Sequence, residues 1–308
     1  MGCGPSRTQI KAKDDAASLV VLYAYLDRIG ISFSKAQALV EKVTPPNLED
    51  LTLLLQKHIT SVPFENLGQH EHSASEELKG KVEFPACAAR NPSLHVHESL
   101  KKIVFDRRGG FCWEINFAFA WLLRRLGYSV RLGNSNVIKP QGEPVPGHLC
   151  IFVDGLSRSP VLVDPGFGDA PRIPIPVVYG ARMKDTMIGD EYSVIANDAS
   201  NYSQSKSQGE RFDSVLTRSR FRGLANSPMV DLVGMDKHPS IPAQMSTPEA
   251  VYLFNSRDEC KMDCEEFRFG LASVLTKSEQ NFFSQKRFCF LATKEGYVFQ
   301  GKVYISNC

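Results

Sequence analysis

A cysteine, a histidine and an aspartate follow one another at punctuated places in this chain. Cys112 ends the run Arg-Gly-Gly-Phe-Cys and begins an apolar helical pattern. His148 opens the strand-like run His-Leu-Cys-Ile-Phe-Val, and Asp164 closes Val-Leu-Val just before Pro-Gly-Phe-Gly. Those three residue types can carry acyl transfer. A thiolate attacks a carbonyl, an imidazole moves the proton, and a carboxylate fixes the imidazole tautomer. A helix N-terminus favours negative charge, so the position of Cys112 is expected to lower its thiol pKa. Singly, each residue has a plainer reading: a buried core cysteine, a surface histidine, a turn aspartate. In this order and in these places, the joint chemical reading outweighs the three plain ones.

The elements that must position them are visible. Ile115, Phe119, Leu122 and Leu126 mark one helical face, and Gly127 stops the helix. Runs 128–138, 147–153 and 161–164 read as strands. A turn over 154–160 would set His148 and Asp164 side by side, with the cysteine helix packed on that sheet. Upstream, 16–29, 34–43 and a stretch capped by Asn47 read as helices, the last with Leu48, Leu51, Leu55 and Ile59 on one face. A further helix is predicted from about 98 to 105. Residues 68–94 and 196–210 are polar and read as surface excursions. Runs 249–257, 267–276, 287–293 and 297–305 suggest more strands with one helix among them.

Composition narrows the classes. The chain has 308 residues, 43% hydrophobic and 23% charged, enough for a sizeable core. A net charge of +2 gives no field for nucleic acid, and none is expected as a partner. No apolar run reaches the length of a membrane span, and no secretory signal pattern is present. The eight cysteines are scattered rather than framed for disulfides, which fits a reducing, cytoplasmic setting. Cys260 and Cys264 lack a second pair, and His70/His72 and His95/His97 read as exposed loop histidines, so no metal is expected. The start Met-Gly-Cys-Gly-Pro-Ser fits an acylation pattern, with Gly2 as myristoyl acceptor and Cys3 as a second lipid site. Membrane association is expected only through such lipids.

Several motifs now form a recognisable series: Tyr25-Leu-Asp-Arg-Ile-Gly30, Ser61-Val-Pro-Phe-Glu-Asn-Leu67, Arg108-Gly-Gly-Phe-Cys112 with Glu114 and Asn116, Gly147-His148-Leu149, and Val163-Asp-Pro-Gly-Phe-Gly168. In order and spacing the chain resembles the arylamine N-acetyltransferase family over roughly 17–305, and in its length and insertions the fungal members. The family's Cys-His-Asp triad falls on Cys112, His148 and Asp164. The resemblance implies an α+β fold with a cysteine-protease-like core: a helical bundle over 17–127 carrying the nucleophile, a β-barrel over 128–235 carrying His148 and Asp164, and an α/β lid over 236–308. The chain departs from the family pattern in a flexible extension over 1–16 and in a lid that is expected to be shortened. It implies a ping-pong acyltransferase of xenobiotic metabolism. Cys112 would take an acyl group from acyl-CoA, acetyl or alternatively malonyl or propionyl, and pass it to an arylamine, hydrazine or related amine. Phe64 and Phe167 match acceptor-pocket positions. Gly166 and Gly168 match the turn passed by the pantetheine arm, and Glu65 and Arg108 match a buried ion pair holding the loop before Cys112. Asn116 is expected to be structural beside the site, and the protein a monomer or weak oligomer. Two other readings fit fewer motifs: a papain- or transglutaminase-like thiol enzyme, and a lipid-anchored homologue without turnover.

Overall fold

Local signals set the helices of the first third. In the computed structural model, the described residues are 7–70, 94–138, 144–197, 212–221, 245–260, 267, 270, 283, 286–294, 296–300 and 305–307. Helix α1 (Arg7–Arg28) is followed by α2 (Phe33–Val40), where Ser32 accepts from the Lys35 N–H. Helix α3 (Leu48–Ile59) starts where Asn47 predicts it, the Asn47 side chain accepting the Asp50 N–H at 2.8 Å. Two expectations change here. The backbone is already helical from Arg7, so the flexible extension over 1–16 gives way to a first helix that takes in 7–16. In α3, Leu48 is half exposed, and the buried face is Leu51, Leu54, Leu55, His58 and Ile59. The true face uses the i, i+3, i+4 stripe centred one residue round from Leu48.

Helix α4 (Val96–Leu100) runs into a π-turn over Lys101–Phe105, where one continuous α-helix was predicted. The wider turn leaves three consecutive residues, Lys102, Ile103 and Val104, buried. Helix α5 (Cys112–Arg125) carries the nucleophile candidate and ends at Gly127, whose φ of +91° suits glycine. A one-sided helix was predicted, but Phe117, Ala118, Phe119, Ala120, Leu122 and Leu123 are all fully buried, so α5 is covered nearly all round. Truncating Phe117 or Phe119 to alanine would cost about 3–5 kcal/mol.

Strand β1 (Phe64–Glu65) precedes α4. After α5 come β2 (Ser129–Ile138), β3 (Pro144–Asp154), β4 (Val161–Val163), β5 (Ile175–Pro176), β6 (Arg182–Lys184), β7 (Glu191–Ala196), β8 (Ser214–Ser219) and β9 (Glu249–Phe254). Strands β2 to β9 form one antiparallel sheet in the order β5-β4-β3-β2-β9-β8-β7-β6. Its ends approach where Tyr179, just past β5, bridges Val194 of β7, so the sheet is a nearly closed barrel. Strand β9 corrects the expected division at 235/236. It pairs with both β2 and β8 and belongs to the barrel, not to the lid.

A second antiparallel sheet joins β1 to β10 (Cys289–Ala292), β11 (Tyr297–Gln300) and β12 (Ile305–Asn307). Phe64 registers with Phe290 and Glu65 with Cys289, so a two-residue strand from the helical part is stitched to the end of the chain. One apolar core spans α1–α5, the inner faces of β2 and β3, and Phe288 and Phe290. A second fills the barrel around Phe152, Tyr252 and Phe254. Most of the predicted excursions over 68–94 and 196–210, Gly2 and Cys3, and nearly all of 261–282 lie outside the described residues.

Candidate active site

The loop that delivers Cys112 is held from below by β1. The Glu65 N–H donates to the Gly110 carbonyl at 2.9 Å, and the Gly110 N–H donates to the Pro63 carbonyl at 3.1 Å. A Cβ on Gly109 would overlap the Pro63 carbonyl oxygen, which is why glycine stands there. Cys112 itself is buried, 6% exposed, in the first turn of α5. Burial pushes its thiol well above the ordinary value, the Asp164 and Glu114 charges add to this, and the Trp113 N–H at the helix start pulls the other way. The helix end thus acts in the predicted direction but is outweighed by burial.

One turn along the same face, Asn116 links the three elements. Its Nδ2 donates to Asp164 Oδ1 at 2.8 Å and to the Leu149 carbonyl at 2.6 Å, and its Oδ1 accepts the Gly166 N–H at 2.9 Å. Leu149 follows His148 on β3, whose register with β4 sets Ile151 opposite Val163. Across that hairpin, His148 Nε2 donates to Asp164 Oδ2 at 2.7 Å. Both groups are buried, at 6% and 1%. Asp164 therefore has one oxygen on the imidazole and one on an amide.

The aromatic candidates divide. Phe167 stands edge-on to the His148 ring, with centroids 5.5 Å apart. Phe64 packs on Phe111 and Phe288 and meets the turn at Gly168. The two glycines also differ. A Cβ on Gly166 would come within 2.5 Å of the Cys112 carbonyl and 2.8 Å of Asn116, so contact with α5 already demands glycine there. Gly168 has a φ of +87°.

Arg108 Nη2 lies 3.1 Å from Glu65 Oε1. Arg108 is one-third exposed, and the cation buried against Glu65 is Lys102. His70, read as a loop histidine, hydrogen-bonds through Nε2 to the carbonyls of Phe283 and Lys286, where Asn66 also donates. Among the described residues, no group of three His, Cys, Asp or Glu side chains is placed to hold a metal ion, and no helix is long and apolar enough to cross a membrane.

The N-acetyltransferase family model matches residues 47–306. The chain belongs to that family. Arylamine N-acetyltransferase 2 of Rattus norvegicus is 25% identical over 276 residues, 89% of this chain and 78% of the relative. The pineal gland isozyme NAT-3 of Gallus gallus is 33% identical over 146 residues, 46% of this chain. The match spans less than half, 44%, of that relative's length. In fold, the chain is similar to the arylamine N-acetyltransferase of Mycobacterium marinum solved in complex with CoA, with a TM-score of 0.60 at 20% identity, covering 91% of this chain and 80% of that one.

Two residues beside this site carry little or no mark in the sequence. Tyr252 of β9 packs on both the His148 and Phe167 rings, at 5.6 and 5.5 Å. Its buried hydroxyl faces Asp164 without closing a hydrogen bond of standard geometry. Nothing in the local pattern of 249–257 marks it, since its role depends on β9 entering the barrel. Lys102 is the other. Three consecutive buried residues in a π-turn are a three-dimensional signal, although a lysine just before Arg-Gly-Gly-Phe-Cys, ahead of Glu114, is a trace that charge patterning offers.

Proposed function

We propose that this protein is an arylamine N-acyltransferase that carries an acyl group from acyl-CoA on Cys112 to an arylamine or hydrazine. The observation that carries this reading is the join at Asn116. It couples the helix that bears Cys112 to the His148–Asp164 pair. Family membership supplies the reaction class.

The roles follow from the contacts. With the His148 Nε2–H given to Asp164, Nδ1 is the nitrogen that takes a proton. Because burial disfavours a lone Cys112 thiolate, the proton passes to His148 as the thiolate forms, and Asp164 stabilises the imidazolium. The thiolate attacks the acyl-CoA carbonyl, and the tetrahedral adduct collapses with loss of the CoA thiol, which leaves with the proton from His148. The amine then attacks the Cys112 thioester, His148 takes the amine's proton, and Cys112 is released with it. Phe167, against the imidazole, and Phe64, on the turn at Gly168, are placed to shape the acceptor side. The chain of Gly166 and Gly168 is where we assign passage of the pantetheine arm.

The test is amine-dependent release of CoA thiol with acetyl-, propionyl- and malonyl-CoA as donors and an arylamine as acceptor. Without amine, intact mass is expected to show one added acyl group on Cys112. Cys112→Ala is expected to abolish both while melting like the parent. Absence of amine-dependent release with every donor, or transfer surviving in Cys112→Ala, overturns the proposal.

A further inference from the structure

Directly beneath the start of α5, a single buried ammonium is shared by two buried carboxylates. Lys102 is 3% exposed, Glu65 2% and Glu114 1%. Lys102 Nζ lies 2.9 Å from Glu114 Oε2 and 3.4 Å from Glu65 Oε1. Each acid is also tied to backbone, Glu114 to the residue that presents the cysteine and Glu65 to its own segment. Glu114 Oε2 accepts the Phe111 N–H at 2.9 Å, the residue just before Cys112, and Glu65 Oε2 accepts the Leu67 N–H at 2.6 Å. Three elements meet here: the π-turn, α5 that follows it closely, and β1 from farther back in the chain.

Without Lys102, two carboxylates would face each other beside a helix start that already has to accept a thiolate. Burying such charges uncompensated is costly, and the acids would take up protons or move. Burial raises the Glu114 pKa above the ordinary value even here, and the Lys102 charge is the chief influence pulling it back toward the anion that accepts the Phe111 N–H.

We propose that Lys102 is a positioning residue for Cys112, holding Glu114 on the helix start and offsetting the negative charge the thiolate faces there. This rests on the reading of Cys112 as the acyl carrier. The charged groups acting on the thiol are Asp164, which holds His148, and Glu114 from its own helix. Those facing Lys102 are Glu65 and Glu114; Arg108 shares Glu65 Oε1 with it, and the half-buried Cys289 feels both Glu65 and Arg108.

The experiment is the pH profile of Cys112 alkylation by iodoacetamide, followed on the Cys112 peptide by mass spectrometry, with a thermal melt for each variant. It needs no acyl-CoA, so it separates failure of this proposal from failure of the acyltransferase reading. Lys102→Met is expected to move the inflection upward by on the order of one pH unit, slowing alkylation at neutral pH about tenfold. Adding Glu114→Gln to it is expected to return the profile most of the way. Glu114→Gln alone, whose amide oxygen still accepts the Phe111 N–H, is expected to move the inflection downward. This single variant decides the matter if Lys102→Met does not fold. A folded Lys102→Met with the parent profile, no rescue in the double variant, or a Glu114→Gln inflection that is unchanged or raised each overturns the proposal.

Discussion

Asp164 and Asp169 lie on the same loop and are buried to the same degree, at 1% and 2% exposure, yet they are held in opposite ways. Asp164 is met by an imidazole and an amide, at 2.7 and 2.8 Å. Asp169 Oδ2 is met by two guanidiniums, Arg218 at 2.9 Å and Arg220 at 2.7 Å, and both arginines also reach Glu249. Burial raises the Asp169 pKa, but the Arg220 and Arg218 charges outweigh it and hold the carboxyl well below the usual range. Asp169 is thereby locked as an anion across the accessible pH range and serves to tie β8 and β9 to the loop. Asp164 has no fixed cation beside it among the described residues. In the mechanism proposed above, the charge that answers it is the one His148 gains when Cys112 gives up its proton. A permanent partner builds structure, and a conditional partner permits chemistry.

Two isosteric substitutions separate these roles. Asp164→Asn should leave the fold intact and lower acyl transfer by about ten-thousandfold, because the amide supports the wrong imidazole tautomer. Steady-state kinetics beside a melt checks this, and a loss below about tenfold would erase the distinction. Asp169→Asn should do the reverse. Leaving two buried guanidiniums short of a charge costs about 3–5 kcal/mol, read by denaturant titration, while the folded fraction retains its rate. The pH dependence follows from the sign of the shift. A carboxyl with a lowered folded pKa contributes fully above the unfolded value, near the ordinary 3.8, and loses that contribution as pH falls below it. The stability gap between parent and Asp169→Asn should therefore narrow below about pH 4.

The asymmetry also separates what could be read from sequence from what could not. Cys112 and Asp164 were legible because each stands at a local boundary, Gly-Gly before a helix and Pro-Gly after a strand; His148 opens only the apolar run of β3, a strand that itself begins at Pro144. Asn47 was legible as a cap for the same reason. The Asp169 network was not, since it is assembled from β8, β9 and a loop that meet only in the closed sheet. The position of β9 between β2 and β8, the two-residue β1 on the C-terminal sheet, and Tyr252 over His148 are likewise long-range facts. Glu65 and Arg108 show where the sequence misleads. It displays which residues carry charge but not which become buried, and the buried cation turned out to be Lys102.

Asn116 probes how finely the conditional arrangement must be held. Asn116→Ala removes two donors and one acceptor at the junction of α5, β3 and the turn at Gly166. A displacement of about 1 Å at such a junction costs roughly a hundredfold in rate. The expected result is that loss in kcat, with KM for the amine little changed. Asn116→Asp should not restore the rate, because it sets a second carboxylate against Asp164 and removes the donor. Full activity in either variant would mean that the His148–Asp164 pair is positioned by β3 and β4 alone.

The smallest effect is expected at His58, a buried histidine with no carboxylate partner among the described residues and so a control for His148. Its Nδ1 lies 3.2 Å from the Tyr25 hydroxyl, and Nε2 has no hydrogen-bond partner among the described residues. Burial, with the Arg28 charge second, lowers its pKa from 6.5 to about 3. Below about pH 6.5 the unfolded chain gains a proton at this residue that the folded chain refuses until about pH 3. Stability is thus lost as pH falls through that window, by about 1.4 kcal/mol per pH unit. His58→Gln, which keeps an acceptor for Tyr25, should flatten this part of the stability profile between pH 6.5 and 4.5 while leaving acyl transfer at neutral pH unchanged. An unflattened profile would mean that His58 takes up its proton in the folded state. Burial alone would then not distinguish a silent histidine from a working one, and the contrast would rest on the carboxylate that His148 has and His58 lacks.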